Sequence, residues 1–393
     1  MLSRLKSVVL LTPLFASFVA HSLPTAECSA DTGSNLTRSS HDTPHPYSGA
    51  MNMNASKLLP NDPRVRHAST TLRGKTYEYI VGEPQQQPPI DTIFLIHGFP
   101  DLAFGWRCQV PYLMSLGFRV VVPDMIGYAG TASPQDVREW SFKNVAADIK
   151  ELAGKFVGEG QIILGGHDWG GAFVWRAALW HPQLIKAVFS ICTPYNAPSK
   201  DYFDLKDVIA AGNLKNLAYQ LQLRGPHVES KLQGQDNIRL FLNGMHGGVG
   251  PQGEYGFSTD SGVLFDMLPK LRHPKSMTGE ELDFYVQQYM RQEAPQLRGP
   301  LNWYRTNKIN WEEERPLADK NTSLEMPTLF ISATNDPALP PSMSIGMEQW
   351  MPKLTRGEVQ SSHWALTEAS ADVNKQLGKW LNGVLNGAIK SAL

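Results

Sequence analysis

The sequence predicts an α/β protein: a doubly wound, mostly parallel sheet with a helical segment inserted before its last strands. Three observations carry this. Continuous apolar runs such as Thr92–Ile96 and Thr328–Ala333 suit strands covered on both faces by helices. Amphipathic stretches separate them, which is the alternation of a doubly wound sheet. Residues 195–311 then break the alternation with several helical patterns in a row.

Taken in order, 65–72 and 76–81 read as short strands around a turn at Gly74. Thr92–Ile96 follows and ends in His97-Gly98-Phe99-Pro100. Arg119–Pro123 is the next buried strand and stops at Asp124, and 141–156 is an amphipathic crossover helix. A strand at 161–164 runs into Gly165-Gly166-His167-Asp168-Trp169-Gly170-Gly171, and a helix at 172–180 ends before Pro182. Strands are expected at 187–192, Thr328–Ala333 and 358–361, with a last helix at 374–386. The core thus divides into 63–194 and 312–393, with a lid at 195–311. Within the lid, 280–291 is a helix behind the capping-box pair Thr278 and Glu281, and the Gly-rich 244–262 reads as loop.

The N-terminus is a separate matter. Arg4 and Lys6 precede an apolar stretch, 8–20, with small residues near Ser22. Residues 1–22 therefore read as a secretory signal peptide, too short for a stable membrane span. A disordered tail, or an organelle-targeting segment with no acidic residue before Glu27, fits the same pattern. Sequons at Asn35, Asn54 and Asn321 are compatible with a secreted glycoprotein. Residues 23–62, rich in Ser, Thr, Asn and Pro, read as a flexible linker or pro-segment. Cys28, Cys108 and Cys192 imply no complete disulfide framework and no metal site, and the last two read as small core residues. A formal net charge of −1 leaves no basic field for nucleic acid.

Chemistry concentrates in Gly166-His167-Asp168-Trp169-Gly170. A strand-to-helix turn flanked by glycines is the nucleophile elbow of the α/β-hydrolase fold, with Asp where Ser is usual. A phosphate-binding turn would need other glycine spacing or a terminal Gly-Lys. A carboxylate needs no deprotonation and can attack an sp³ carbon to form an ester. Water must then cleave that ester, with a general base and an oxyanion hole. His363, beyond the last strand, is the candidate base, and Asp336, after Thr328–Ala333, its orienting acid; the order nucleophile, acid, base is that of the fold. The oxyanion donors would be the main-chain N–H groups of Trp169 and Phe99.

His97-Gly98-Phe99-Pro100-Asp101 with Trp106-Arg107, the Asp elbow, and His363-Trp364 together resemble the soluble-type epoxide hydrolases, from about Arg64 to the C-terminus. The resemblance implies a small epoxide and water as reactants, no cofactor or metal, and two lid tyrosines that hold the epoxide oxygen. Tyr304, in Pro300-Leu301-Asn302-Trp303-Tyr304-Arg305, matches the second of them, and Tyr219 is the candidate first. Tyr202, Tyr285 and Tyr289 are further lid tyrosines. Trp106 and Phe99 are candidate pocket walls, though aromatics there also serve as plain core. The segment ahead of the core is too short for the phosphatase-like domain that some members carry. Its apolar stretch is shared with membrane-associated members, but the elbow and Asp336 match the soluble type. Haloalkane dehalogenases share the Asp–His–Asp set, and a non-catalytic binding protein would share the fold. The leaving group discriminates: an alkoxide needs a proton, which tyrosine can donate, and a halide does not.

Overall fold

The computed structural model describes residues 54–320 and 322–389. The expected signal peptide, Cys28 and the sequons at Asn35 and Asn321 lie outside the described residues. An eight-stranded sheet organises the chain, in the order β1-β2-β4-β3-β5-β6-β9-β10. The strands are β1 (Val65–Leu72), β2 (Lys75–Gly82), β3 (Thr92–Ile96), β4 (Arg119–Pro123), β5 (Ile162–His167), β6 (Ile185–Ile191), β9 (Thr328–Ala333) and β10 (Leu354–Val359). A separate hairpin pairs β7 (Phe257–Ser258) with β8 (Gly262–Val263). In the main sheet β2 is antiparallel to both neighbours, and every other pair is parallel.

Helices α1 (Gln109–Ser115), α2 (Phe142–Val157), α3 (Trp169–Trp180), α11 (Ala365–Glu368) and α12 (Ser370–Leu385) belong to the core. Between β6 and β9 lie α4 (Leu205–Ala210), α5 (Tyr219–Leu223), α6 (His227–Lys231), α7 (Gln235–Met245), α8 (Gly279–Tyr289), α9 (Arg298–Asn302) and α10 (Asn307–Glu314). This is the α/β-hydrolase architecture that the alternation predicts. The fully buried Phe94, Phe189 and Phe330 come from β3, β6 and β9, in the middle of the sheet, where helices cover both faces. No helix among the described residues is long and apolar enough to cross a membrane.

Several boundaries move for physical reasons. β5 runs on to His167 and α3 begins at Trp169, so Asp168 is the whole of the turn between them. The last strand is 354–359 rather than 358–361: β10 is an edge strand with partly exposed polar residues, so no buried run marks it. The Gly-rich 244–262 is not all loop, since α7 reaches Met245 and the β7–β8 hairpin occupies its end. Residues 54–62, read as linker, are packed: Leu58 is buried, and Arg64 donates to the carbonyls of Asn54, Ser56 and Lys57 at 2.9 Å each. Lys57 and Arg107 share the Glu281 carboxylate of α8, at 3.1 and 3.0 Å. Cys108 departs from the reading as a plain core thiol: it is disulfide-bonded, whereas Cys192 is free and buried. The capping box at Thr278 and Glu281 forms as expected.

Candidate active site

Asp168 stands between β5 and α3 with φ 54° and ψ −123°. A non-glycine residue there costs of order 1–3 kcal/mol, which its surroundings must over-determine. Glycines make the turn sterically possible. A Cβ on Gly166 would collide with the Gly170 backbone, one on Gly170 with the Ile96 and His97 carbonyls, and one on Gly98 with the Asp168 carboxylate. Thr193 Oγ1 donates to the Asp168 carbonyl at 2.7 Å and ties the turn to the loop after β6.

The β3 loop meets the nucleophile position from the other side. Phe99 N–H donates to Asp168 Oδ1 at 2.7 Å. Trp169 opens α3, where a main-chain N–H has no intrahelical acceptor. His97, whose role no sequence signal marks, fixes this loop. Its Nε2 accepts from Met125 N–H at 2.9 Å, so Nδ1 carries the proton and donates to the Gly98 carbonyl at 2.9 Å. Burial holds the His97 imidazole down at about 4, so it stays neutral.

His363 and Asp336 converge on Asp168 as their strand contexts imply. His363 Nδ1 lies 2.7 Å from Asp336 Oδ2, and its Nε2 lies 3.4 Å from Asp168 Oδ2. Asp336 Oδ1 accepts the Ala338 and Leu339 N–H groups at 2.9 Å. Burial pulls the His363 imidazole down, but the flanking Asp336 and Asp168 carboxylates outweigh it and hold the group well above its usual range. Burial likewise pushes Asp168 and Asp336 up, and the His363 charge and hydrogen bonds bring both below the usual carboxylate range. His167, likewise unmarked, has its Nε2 2.8 Å from the His363 carbonyl, and burial holds it neutral at about 4.

The insertion covers this edge with aromatic rings. Tyr304 meets Phe99 and Trp169 edge-on at 5.0 and 5.1 Å between centroids. Tyr219 lies 6.2 Å from Tyr304, ring to ring, and is backed by Phe257 of β7 at 5.2 Å. Burial raises both phenols above their usual range, and the Asp168 charge adds to it, so both keep their protons. The other tyrosines of the insertion go elsewhere. Tyr285 donates to Asp101 Oδ1 at 2.5 Å and Tyr289 to the Pro100 carbonyl at 2.8 Å, pinning α8 to the β3 loop. Tyr202 donates to Asp204 at 3.2 Å within the insertion itself. Trp106 is fully buried against Phe189, which in turn meets Trp380 of α12. Its one described ring contact is thus with Phe189 and not with the aromatics around Asp168. Phe99 does join them, meeting Phe241 of α7 as well as Tyr304.

Comparison with known proteins agrees with this geometry. The α/β-hydrolase fold family matches residues 91–243. The chain is 39% identical over 347 residues to the epoxide hydrolase SrdG of Neurospora crassa, covering 85% of this chain and 100% of that one. It is 35% identical over 295 residues to the mouse bifunctional epoxide hydrolase 2, covering 73% of this chain but 51% of the mouse protein. Among solved structures, an epoxide hydrolase from Vigna radiata superposes with a TM-score of 0.68 at 22% identity, over 81% of this chain and 98% of that one. That last likeness speaks to the fold alone. The near-complete match to the fungal relative speaks to the family: the chain is a hydrolase of the α/β-hydrolase fold and belongs to the epoxide hydrolases.

Proposed function

We propose that the protein converts epoxides to vicinal diols through an ester on Asp168. The observation that carries this reading is a strained carboxylate facing two buried, neutral tyrosines across one site. Asp168 Oδ1 is committed to the Phe99 N–H, which leaves Oδ2 as the attacking atom. Oδ2 bonds to one epoxide carbon, the C–O bond to that carbon breaks, and the oxygen takes a proton from Tyr304 or Tyr219 as it becomes a hydroxyl. A water then adds to the Asp168 carboxyl carbon while His363 takes its proton. Negative charge collects on Oδ1, held by the Phe99 and Trp169 N–H groups; one such donor is worth about 3–4 kcal/mol. Collapse breaks the bond between the carboxyl carbon and Oδ2; the departing oxygen takes the proton back from His363, and the diol leaves with that oxygen. The water oxygen stays on Asp168, whose new carboxylic acid proton replaces the one the tyrosine gave up.

The electrostatics suit two steps with opposite needs. Before attack, the Asp168 charge helps to hold His363 protonated. Esterification removes that charge, so the His363 pKa falls when a base is required. The insertion acts as a lid that excludes bulk water from the ester. Secretion is part of the same reading: the N-terminal pattern, the disulfide at Cys108 and an exposed Asn54 fit an oxidising, glycosylating route.

Incubation with a panel of aryl and alkyl epoxides, read by diol formation, tests the activity. Diol from wild type, with Tyr304→Phe strongly impaired, is the expected result. Halide release from haloalkanes that survives Tyr304→Phe, without diol from any epoxide, would refute it. N-terminal sequencing of protein recovered from the medium tests secretion; an intact Met1 in an intracellular pool would contradict it.

A further inference from the structure

A cavity of about 380 Å³ opens behind the β3 loop, between the β1–β2 hairpin and α8. None of Asp168, Asp336, His363, Tyr219 or Tyr304 lines it. Its size falls in the range of small-molecule clefts. Asp124, at the end of β4, forms its polar floor. Among the described residues the Asp124 carboxyl makes one hydrogen bond, from Ala103 N–H to Oδ1 at 2.8 Å, so Oδ2 is left to the cavity. At the rim Glu78 is neutralised by Arg291 through two bonds of 2.7 and 2.6 Å. His67, also at the rim, is half-buried and its imidazole is pulled down by burial, so it adds no charge at neutral pH. Asp124 is therefore the cleft's one carboxyl without an ion pair among the described residues. Leu102, Phe104, Phe284 and Ile80 supply apolar wall.

We propose that this cleft is a second ligand site, which takes a primary ammonium group on a compact apolar body. Anionic ligands would meet the Asp124 charge, and purely apolar ones would strand its oxygen without a partner. Burial pushes the Asp124 carboxyl up to about 7, and Glu78 and Asp101 add to it while Arg291 opposes. An ammonium bound at Oδ2 would favour the charged form and bring that value down. The site also touches the catalytic loop. Ala103, which holds Asp124, lies four residues from the Phe99 donor, and Phe104 packs on Phe284 of α8 at 4.9 Å.

Calorimetric titration with benzylammonium tests the proposal, with benzyl alcohol and benzoate as neutral and anionic counterparts. Saturable binding of benzylammonium alone is expected, weakened about tenfold or more by Asp124→Asn. Ala68→Trp, which fills the cleft from β1 without touching the carboxylate, should abolish binding even if Asp124→Asn fails to fold. Asp168→Asn should leave binding intact. No saturable binding would overturn the proposal. So would binding that survives Ala68→Trp and disappears in Asp168→Asn, because the amine would then sit at the catalytic carboxylate.

Discussion

The carboxyl edge of the sheet and the insertion above it hold their functional groups by different means. At the edge, position comes from the backbone: Asp168 is fixed by a strained turn, by glycines that admit no side chain, and by a main-chain donor on Phe99. In the insertion, position comes from rings packed on rings: Tyr304 rests on Phe99 and Trp169, and Tyr219 on Phe257. Backbone-held groups tolerate almost no substitution nearby. Packed rings should tolerate more, because neighbouring side chains can shift where a backbone turn cannot.

Replacing Asp168, the proposed nucleophile, should have the largest effect. Asp168→Ala is expected to lower kcat by about 10⁵-fold or more, read by diol formation, with the fold retained by circular dichroism. Gly98→Ala sharpens the contrast, because its single added carbon collides with the Asp168 carboxylate. A loss of roughly 10²–10³-fold in kcat is expected, comparable to losing an oxyanion donor; a near-wild-type rate would show that the edge is less rigid than described. Across the site, Tyr304→Phe should cost about 10²-fold in kcat/KM on epoxides, the lower end of a positioned proton donor's contribution. Tyr219→Phe should cost less, because Tyr304, and not Tyr219, packs directly on Phe99 and Trp169 beside Asp168.

A pH comparison separates the two regions through stability. The folded pKa of His363 lies above its ordinary 6.5, so its contribution is complete below 6.5 and fades as pH rises through the folded value. Asp336 lies below its ordinary 3.8, so its contribution is present above that value and lost as pH falls through the folded one. The gap in melting temperature between wild type and His363→Gln should therefore narrow as pH rises from neutral. Tyr304→Phe should show no such trend, since both its states are neutral there. The smallest expected effect is in the backing of Tyr219. Phe257→Ala removes one edge-on ring contact and should lower kcat about tenfold or less.

Legibility in the sequence follows the same division. Asp168, His363, Asp336 and Phe99 could be read because strand ends and glycine spacing dictate where backbone-held groups go. The true bounds of β10 are not legible, because an edge strand carries no buried run. Tyr219 and Tyr304 needed family resemblance as well, since nothing in local spacing separates them from Tyr285 and Tyr289. Those two turn instead to Asp101 and Pro100, a distinction made by tertiary packing. The roles of His97 and His167 are illegible for a related reason. A buried neutral histidine leaves no periodic signal, although each holds one catalytic element in place through a main-chain group.

The central claim is that the new diol oxygen comes from Asp168 and not directly from water. Excess enzyme should be given a limiting amount of epoxide in ¹⁸O-water for a single turnover. The diol and the peptide containing Asp168 are then weighed by mass spectrometry. Unlabelled diol with one heavy oxygen on Asp168 is the predicted result. Label in the diol on that first turnover, with Asp168 unlabelled, would mean that water attacks the epoxide directly and would contradict the account.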